Sequence, residues 1–109
     1  SRGIDHTRTR RQPVIARTLR VQIPPERIDS VLEAYREDVR PIHERAQGLR
    51  QHYVLVDLEH GLVEIIGVWD SAEDVARIAP ELEPARARLW ERFGAEPPLG
   101  IFDVADVLR

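Results

Sequence analysis

The sequence predicts an α+β domain in the order strand, helix, strand, strand, helix, strand. Three observations carry that prediction: a hairpin signature between Gly48 and Asp70, apolar stripes at helical spacing on either side of it, and a β-rich run near each end of the chain. With 109 residues the chain fits one domain, and a domain of that size can bury a usable core.

The hairpin is the strongest of the three. Residues Leu49 to Asp57 and Leu62 to Trp69 are rich in Val, Ile, Tyr and Trp, whose branched or flat side chains pack well on a pleated surface, and His60-Gly61 supplies the reversal. The second of these strands places Val63, Ile65, Gly67 and Trp69 on one face and Leu62, Glu64, Ile66 and Val68 on the other. Both faces are largely apolar, which predicts a central strand covered on both sides.

The remaining elements follow in order. Residues Ser1 to Gln12 carry almost no apolar side chains and are expected to form a flexible basic tail, a single domain then running from Pro13 to Arg109. Pro13 to Ile23 reads as the first strand, with Arg17 on the same face as Ile15, Leu19 and Val21. A guanidinium there needs a carboxylate or a bound anion, and an Arg at the sheet end paired with a nearby acid is the favoured reading. Pro24-Pro25-Glu26 opens a helix whose stripe is Ile28, Val31, Leu32, Tyr35, Val39, Ile42 and Ala46. Pro41 kinks or splits this helix and Gly48 ends it. Ser71-Ala-Glu-Asp74 resembles a capping box, and Val75, Ile78, Leu82, Ala85, Leu89 and Phe93 form the next stripe. Pro80 and Pro84 predict two pieces, Ser71 to Ala79 and Pro84 to Phe93, before a last strand from Leu99 to Val107.

This order is the ferredoxin-like split βαβ, a four-stranded antiparallel sheet with the third strand between the first and second. Two helices cover only one face. The opposite face, with Ile66 and Val68 or the alternate set of the same strand, is expected to pack on a second copy about a two-fold axis, because a soluble monomer rarely leaves such an area bare.

Composition narrows the function. All sixteen basic residues are Arg, and Lys, Asn, Met and Cys are missing, a pattern that suits coding bias and excludes disulfide and thiolate chemistry. Residues 1–12 hold four Arg and one Asp, net +3, whereas the remainder holds twelve Arg against eighteen acids, net −6. An acidic body argues against a nucleic-acid surface. The chain shows no membrane-length apolar run and no signal-peptide core, and reads as soluble and cytoplasmic.

Several features resemble the antibiotic biosynthesis monooxygenase domains of the dimeric α/β-barrel superfamily. They are the element order, Val68-Trp69-Asp70-Ser71-Ala72-Glu73-Asp74 closing the third strand, Gly48-Leu49 opening the second, and the Pro97-Pro98 to Phe102-Asp-Val104 finish. The resemblance covers about Pro13 to Leu108 and implies two protomers pairing into a barrel, each with a pocket between sheet and helices. It implies oxidation of a small aromatic, polyketide-like substrate by molecular oxygen with neither metal nor flavin, or else a non-catalytic dimeric ligand-binding or accessory protein of the same fold. The Trp shared with that group falls on Trp69, and the chain has no Asn, which its oxygenases often use near the pocket. Haem-degrading members use a His in the helix after the Trp; here that region reads Val75-Ala-Arg-Ile-Ala-Pro80, which disfavours haem.

Strand register selects the residues that can meet Trp69. With a two- or four-residue turn, His52 falls on the face of Val63, Ile65 and Trp69, opposite Trp69 or two positions away. A His there can serve as general base near neutral pH, with Tyr35 and Arg17 orienting a phenolate and Ile65, Val75 and Ile78 as apolar substrate-binding wall. The competing reading makes His52 a solvent-bonded residue and Trp69 core filler. His43 sits at the edge of its stripe and His60 in the turn, with no metal-ligand spacing, so neither metal nor cofactor is expected. Arg86 and Arg88 read as a solvated helix face exchanging salt bridges with Glu83 and Glu91, the alternative being the rim of a pocket for an acidic ligand.

Overall fold

In the computed structural model, which describes residues 13–95 and 97–107, four strands form one antiparallel sheet. They are β1 (Ile15–Gln22), β2 (Leu49–Asp57), β3 (Leu62–Trp69) and β4 (Leu99–Asp103), in the spatial order β2-β3-β1-β4. This is the expected ferredoxin-like arrangement, with β3 inside. The tail over residues 1–12 lies outside the described residues.

The hairpin register fixes every facing decision. Asp57 pairs with Leu62 across a four-residue turn ending in Gly61, which adopts φ +66 and accepts the Ile23 N–H at 2.8 Å. From there Val56 faces Val63, Val54 faces Ile65 and His52 faces Gly67, the parity expected from the sequence. A bulge at Arg50 then restores Leu49 opposite Trp69. On β3, Val63, Ile65, Gly67 and Trp69 are buried beneath the helices, while Leu62, Glu64, Ile66 and Val68 are half-exposed.

After a 3-10 turn at Pro25–Arg27, helix α1 (Ile28–Asp38) stops at Val39, and α2 (Arg40–Glu44) restarts with Pro41 in its first turn. The missing N–H of Pro41 is harmless in that position, so the chain steps rather than breaks. The sequence placed Ile42 in the stripe and His43 at its edge. The structure corrects this: Val31, Tyr35, Val39 and His43, each four residues on, form the buried row, and Ile42 is half-buried.

Helix α3 is the largest departure from expectation. It runs unbroken from Ala72 to Arg92 through both Pro80 and Pro84, where two helices were expected. Pro80 and Pro84 are four apart and exposed, and the carbonyls their missing N–H groups release belong to Ala76 and Pro80, themselves exposed. Water can satisfy those carbonyls, while Ile78, Leu82, Ala85 and Leu89 bury the opposite face. Ser71 caps the helix: its Oγ accepts the Asp74 N–H at 3.2 Å and donates to the Asp74 carboxylate at 3.0 Å. The last strand ends at Asp103 rather than Val107, where its pairing with β1 stops. No helix among the described residues is long and apolar enough to cross a membrane.

The continuity of α3 has a direct test. Replacing Pro80 with Ala restores a hydrogen bond inside a helix, so Pro80→Ala should raise unfolding stability by about 1–3 kcal/mol. Denaturant titration reads the change, and an unchanged midpoint would point to a helix already broken at residue 80.

Candidate functional site

Gly67 is the floor of the site. It faces the helices, with Arg17 opposite on β1 and His52 opposite on β2. A Cβ at this position would stand 3.1 Å from Trp69 Nε1 and 3.4 Å from His52 Cδ2, so the absent side chain is what lets the indole and the imidazole close over the strand. Trp69 is itself 1 % exposed and lines neither of the two clefts that flank it. The hollow expected beside Trp69 is therefore filled by its own indole, and the open spaces lie to either side.

Three polar rings meet on the β2 side. The Tyr35 hydroxyl, carried by α1, lies 3.1 Å from His43 Nδ1 and 3.1 Å from His52 Nδ1. The His43 and His52 ring centres are 4.0 Å apart, and Tyr35 stacks on His52 with only 11° between the planes. A hydroxyl has one proton to donate, so it can donate to one imidazole only and must accept an N–H from the other. His52 also brings Nε2 within 3.4 Å of the same hydroxyl, so the row His43–Tyr35–His52 is joined through His43 Nδ1 and, by the shorter contact, His52 Nδ1, which then hold opposite protonation. A cleft of about 390 Å³ opens on this row, with Leu32, Leu49 and Val54 among its walls.

Two guanidinium groups lie on the β1 side. Arg17 is 5 % exposed and donates from one terminal nitrogen to Glu83 Oε1 at 3.1 Å, while its Nε and other terminal nitrogen have no partner among the described residues. The expected pairing with an acid is present, but Arg17 sits mid-strand beside Gly67 and not at a sheet end. Arg86 corrects the sequence reading more sharply. Its side chain is 11 % exposed, so it is no solvated surface residue, and it reaches the same Glu83 oxygen at 3.4 Å. It occupies the column Ile78, Leu82, Arg86, Trp90, a four-residue repeat on the buried face of α3. Arg88 and Glu91 are exposed, as the sequence suggested.

Burial sets the electrostatics. It pushes His52 down to about 4, helped by the charge of Arg86, and His43 down to about 3, helped by His52, Arg86 and Arg17. Burial likewise raises the Tyr35 phenol to about 12, against the pull of Arg86 and Arg40, and lowers Arg86 to about 10, aided by Arg17 and opposed by Glu83. At neutral pH both imidazoles are uncharged and Tyr35 keeps its proton. His52 is thus available to accept a proton, but as a weaker base than the near-neutral group the sequence suggested.

The other sequence candidates fall in the packing layer. Ile65 and Ile78 are buried in the core and Val75 packs half-buried against it, none of them lining either cleft. His60 is in the hairpin turn, bonded to Asp57 at 2.8 Å. Among the described residues no three His, Cys, Asp or Glu side chains converge as a metal site would require. Sequence reasoning set His43 aside, gave Arg86 a pocket only as the less favoured alternative, and missed the role of Gly67. The four-residue columns containing His43 and Arg86 were the available signal.

The ring row predicts a spectroscopic signature. Imidazole ¹⁵N shifts should show one of His43 and His52 protonated at Nδ1 and the other bare there, and Tyr35→Phe should abolish that opposition. The same tautomer for both residues in the unaltered protein would exclude a row joined through both Nδ1 atoms, the shorter contacts.

No family model matches the sequence. Two uncharacterized proteins of Mycobacterium tuberculosis, from strains CDC 1551 / Oshkosh and H37Rv, are each 28 % identical over 96 residues, covering 88 % of this chain and 43 % of theirs. The chain therefore spans less than half the length of these curated relatives. Among solved structures, a dimeric ferredoxin-like protein from an uncultured marine organism superposes with TM-score 0.73 at 14 % identity, over 90 % of this chain and 93 % of that one. SnoaB, a cofactor-independent oxygenase from Streptomyces nogalater, gives TM-score 0.66 at 19 % identity over 88 % and 97 %. A protein from Caulobacter crescentus described as a candidate antibiotic biosynthesis monooxygenase gives TM-score 0.70 at 11 % identity over 94 % and 99 %. At such identities the likeness speaks for architecture, and on that ground the chain has the ferredoxin-like fold of the antibiotic biosynthesis monooxygenases.

Proposed function

We propose that this chain is a homodimeric, cofactor-independent oxygenase of the antibiotic biosynthesis monooxygenase type, acting on a small phenolic aromatic. The observation that carries the reading is His52: an uncharged imidazole on a cleft, held by a tyrosine hydroxyl. Base action uses the arrangement in which His52 Nδ1–H donates to Tyr35 and Tyr35 donates to His43, which leaves His52 Nε2, 3.4 Å from the same hydroxyl, unprotonated on a residue that lines the cleft.

The chemistry balances with oxygen as the only oxidant. Proton transfer from the substrate to His52 Nε2 leaves an electron-rich phenolate or carbanion. One electron passes to oxygen, and the resulting superoxide and substrate radical combine into a carbon–oxygen bond. Loss of the remaining proton on that carbon breaks the O–O bond, giving a ketone and, with the proton returned from His52, water. The substrate supplies all four electrons that O₂ takes up, so a methylene becomes a carbonyl at the expense of one O₂ with one water released. Tyr35 orients the developing anion, while Arg17, paired with Glu83 on the β1 side, lies outside the lining of this cleft, and buried Trp69, Ile65 and Ile78, with half-buried Val75, form the apolar layer next to the site. A second reading, ligand binding without turnover, is favoured by one observation, the depressed basicity of His52.

The outer face of the sheet supports the dimer. Exposed Tyr53, Leu55 and Phe102 lie there with half-exposed Ile66, Val68 and Ala16, an apolar area bordered by the Arg20–Glu64 ion pair. A second copy packing sheet to sheet would cover it, as the dimeric relative suggests.

Oxygen-electrode assays with an anthrone should show one O₂ consumed per substrate oxidised, and His52→Ala should lower turnover by about 10²–10⁴-fold. Binding of the anthrone without any oxygen uptake would leave the ligand-binding reading in its place. Sedimentation at micromolar concentration should give a dimer that Ile66→Arg converts to monomer. A monomeric parent protein would remove the pairing.

A further inference from the structure

The β1 side of the site holds a second, larger cleft that the proposed oxygenation does not use. It measures about 760 Å³ and runs between β1, β4 and the C-terminal half of α3, with Leu19, Leu99, Ala87 and Trp90 as apolar walls and Arg86 at its inner end. Glu83 and Glu91 lie along it as well, Glu91 at the exposed side. A flat indole and two leucines around one desolvated cation suit a ligand with an aromatic body and a single anionic head.

The balance of charge sharpens the match. Arg17 and Arg86 both lean on one carboxylate oxygen, Glu83 Oε1, at 3.1 and 3.4 Å, and Arg17 keeps two buried nitrogens without a partner among the described residues. Two largely buried guanidinium groups sharing one carboxylate leave a positive charge uncompensated in the layer, which is expensive unless an anion arrives. Glu83 is half-exposed, so it can yield its place to a carboxylate of the ligand. Arginine's planar fork suits a bidentate carboxylate, which a lone 3.4 Å contact to Glu83 does not satisfy.

We propose that this cleft is a binding site for small aromatic carboxylic acids, the carboxylate seated on Arg86 with Arg17 behind it and the ring against Trp90. The site stands apart from the His52 cleft and holds whether or not the chain turns over a substrate. It makes an unusual prediction of sign: Glu83 competes with the ligand for Arg86, so removing its charge strengthens binding.

Calorimetric titration with 1-naphthoate and its neutral counterpart 1-naphthamide tests this, with the Trp90 indole N–H resonance reporting the location. The acid should bind at least tenfold more tightly than the amide. Arg86→Gln should bring the two within about twofold, and Glu83→Gln should tighten the acid several-fold while leaving the amide unchanged. Equal affinities in the unaltered protein, no binding of the acid at millimolar concentration, or weaker acid binding in Glu83→Gln would each overturn the proposal. Glu83→Gln changes a half-exposed side chain, so the test stands even where Arg86→Gln fails to fold.

Discussion

A strand that is apolar on both faces cannot leave either of them in water, and β3 is such a strand. Burying Val63, Ile65 and Trp69 beneath α1 and α3 aligns Gly67 with Arg17 on one neighbour and His52 on the other. Hydrophobic burial, at about 25 cal/mol per Å² of apolar surface, drives that stacking, and the polar residues are carried into the layer by register. Its other face, with half-exposed Ile66 and Val68, is the surface on which the proposed pairing rests. One strand thus places both the polar groups of the site and the apolar residues of the outer face.

The polar groups enclosed this way are not interchangeable. On the β2 side they are uncharged and linked through a single hydroxyl, with the buried His43 Nε2 left without a partner among the described residues. On the β1 side they are cationic and under-neutralised. The two halves are coupled, because the charge of Arg86 helps to hold His52 in its neutral form. Anything that neutralised Arg86 would make His52 a stronger base, so the cationic half bears on the reactivity of the other.

Much of this architecture is legible in the sequence. The doubly apolar run Leu62 to Trp69, an even-length turn and the spacing of Tyr35 point to the sheet order, the register and the side of the sheet on which His52 and Tyr35 meet. The prolines misled, because local propensity treats Pro80 and Pro84 as breaks, whereas a helix with a deeply buried face tolerates them where the freed carbonyls meet water. His43 and Arg86 were misplaced for a related reason. A polar residue on an apolar column reads as an edge or a solvated position, and only the tertiary partners, Tyr35 for one and Glu83 for the other, make burial tolerable. Where the hollows fall was not legible at all, since it depends on the Trp69 indole lying over a glycine.

The site depends on imidazoles kept uncharged inside the protein, and an NMR titration of the His52 and His43 ring protons reads that state directly. In the folded protein His52 should take up its proton near pH 4 and His43 lower still, near 3, well below the ordinary value of 6.5. The unfolded chain then binds more protons across that interval, so stability holds above pH 6.5 and declines as the pH falls toward 4. A His52 midpoint at about 6.5 or above, with stability flat from about pH 7 to pH 4, would contradict a buried, cation-flanked site.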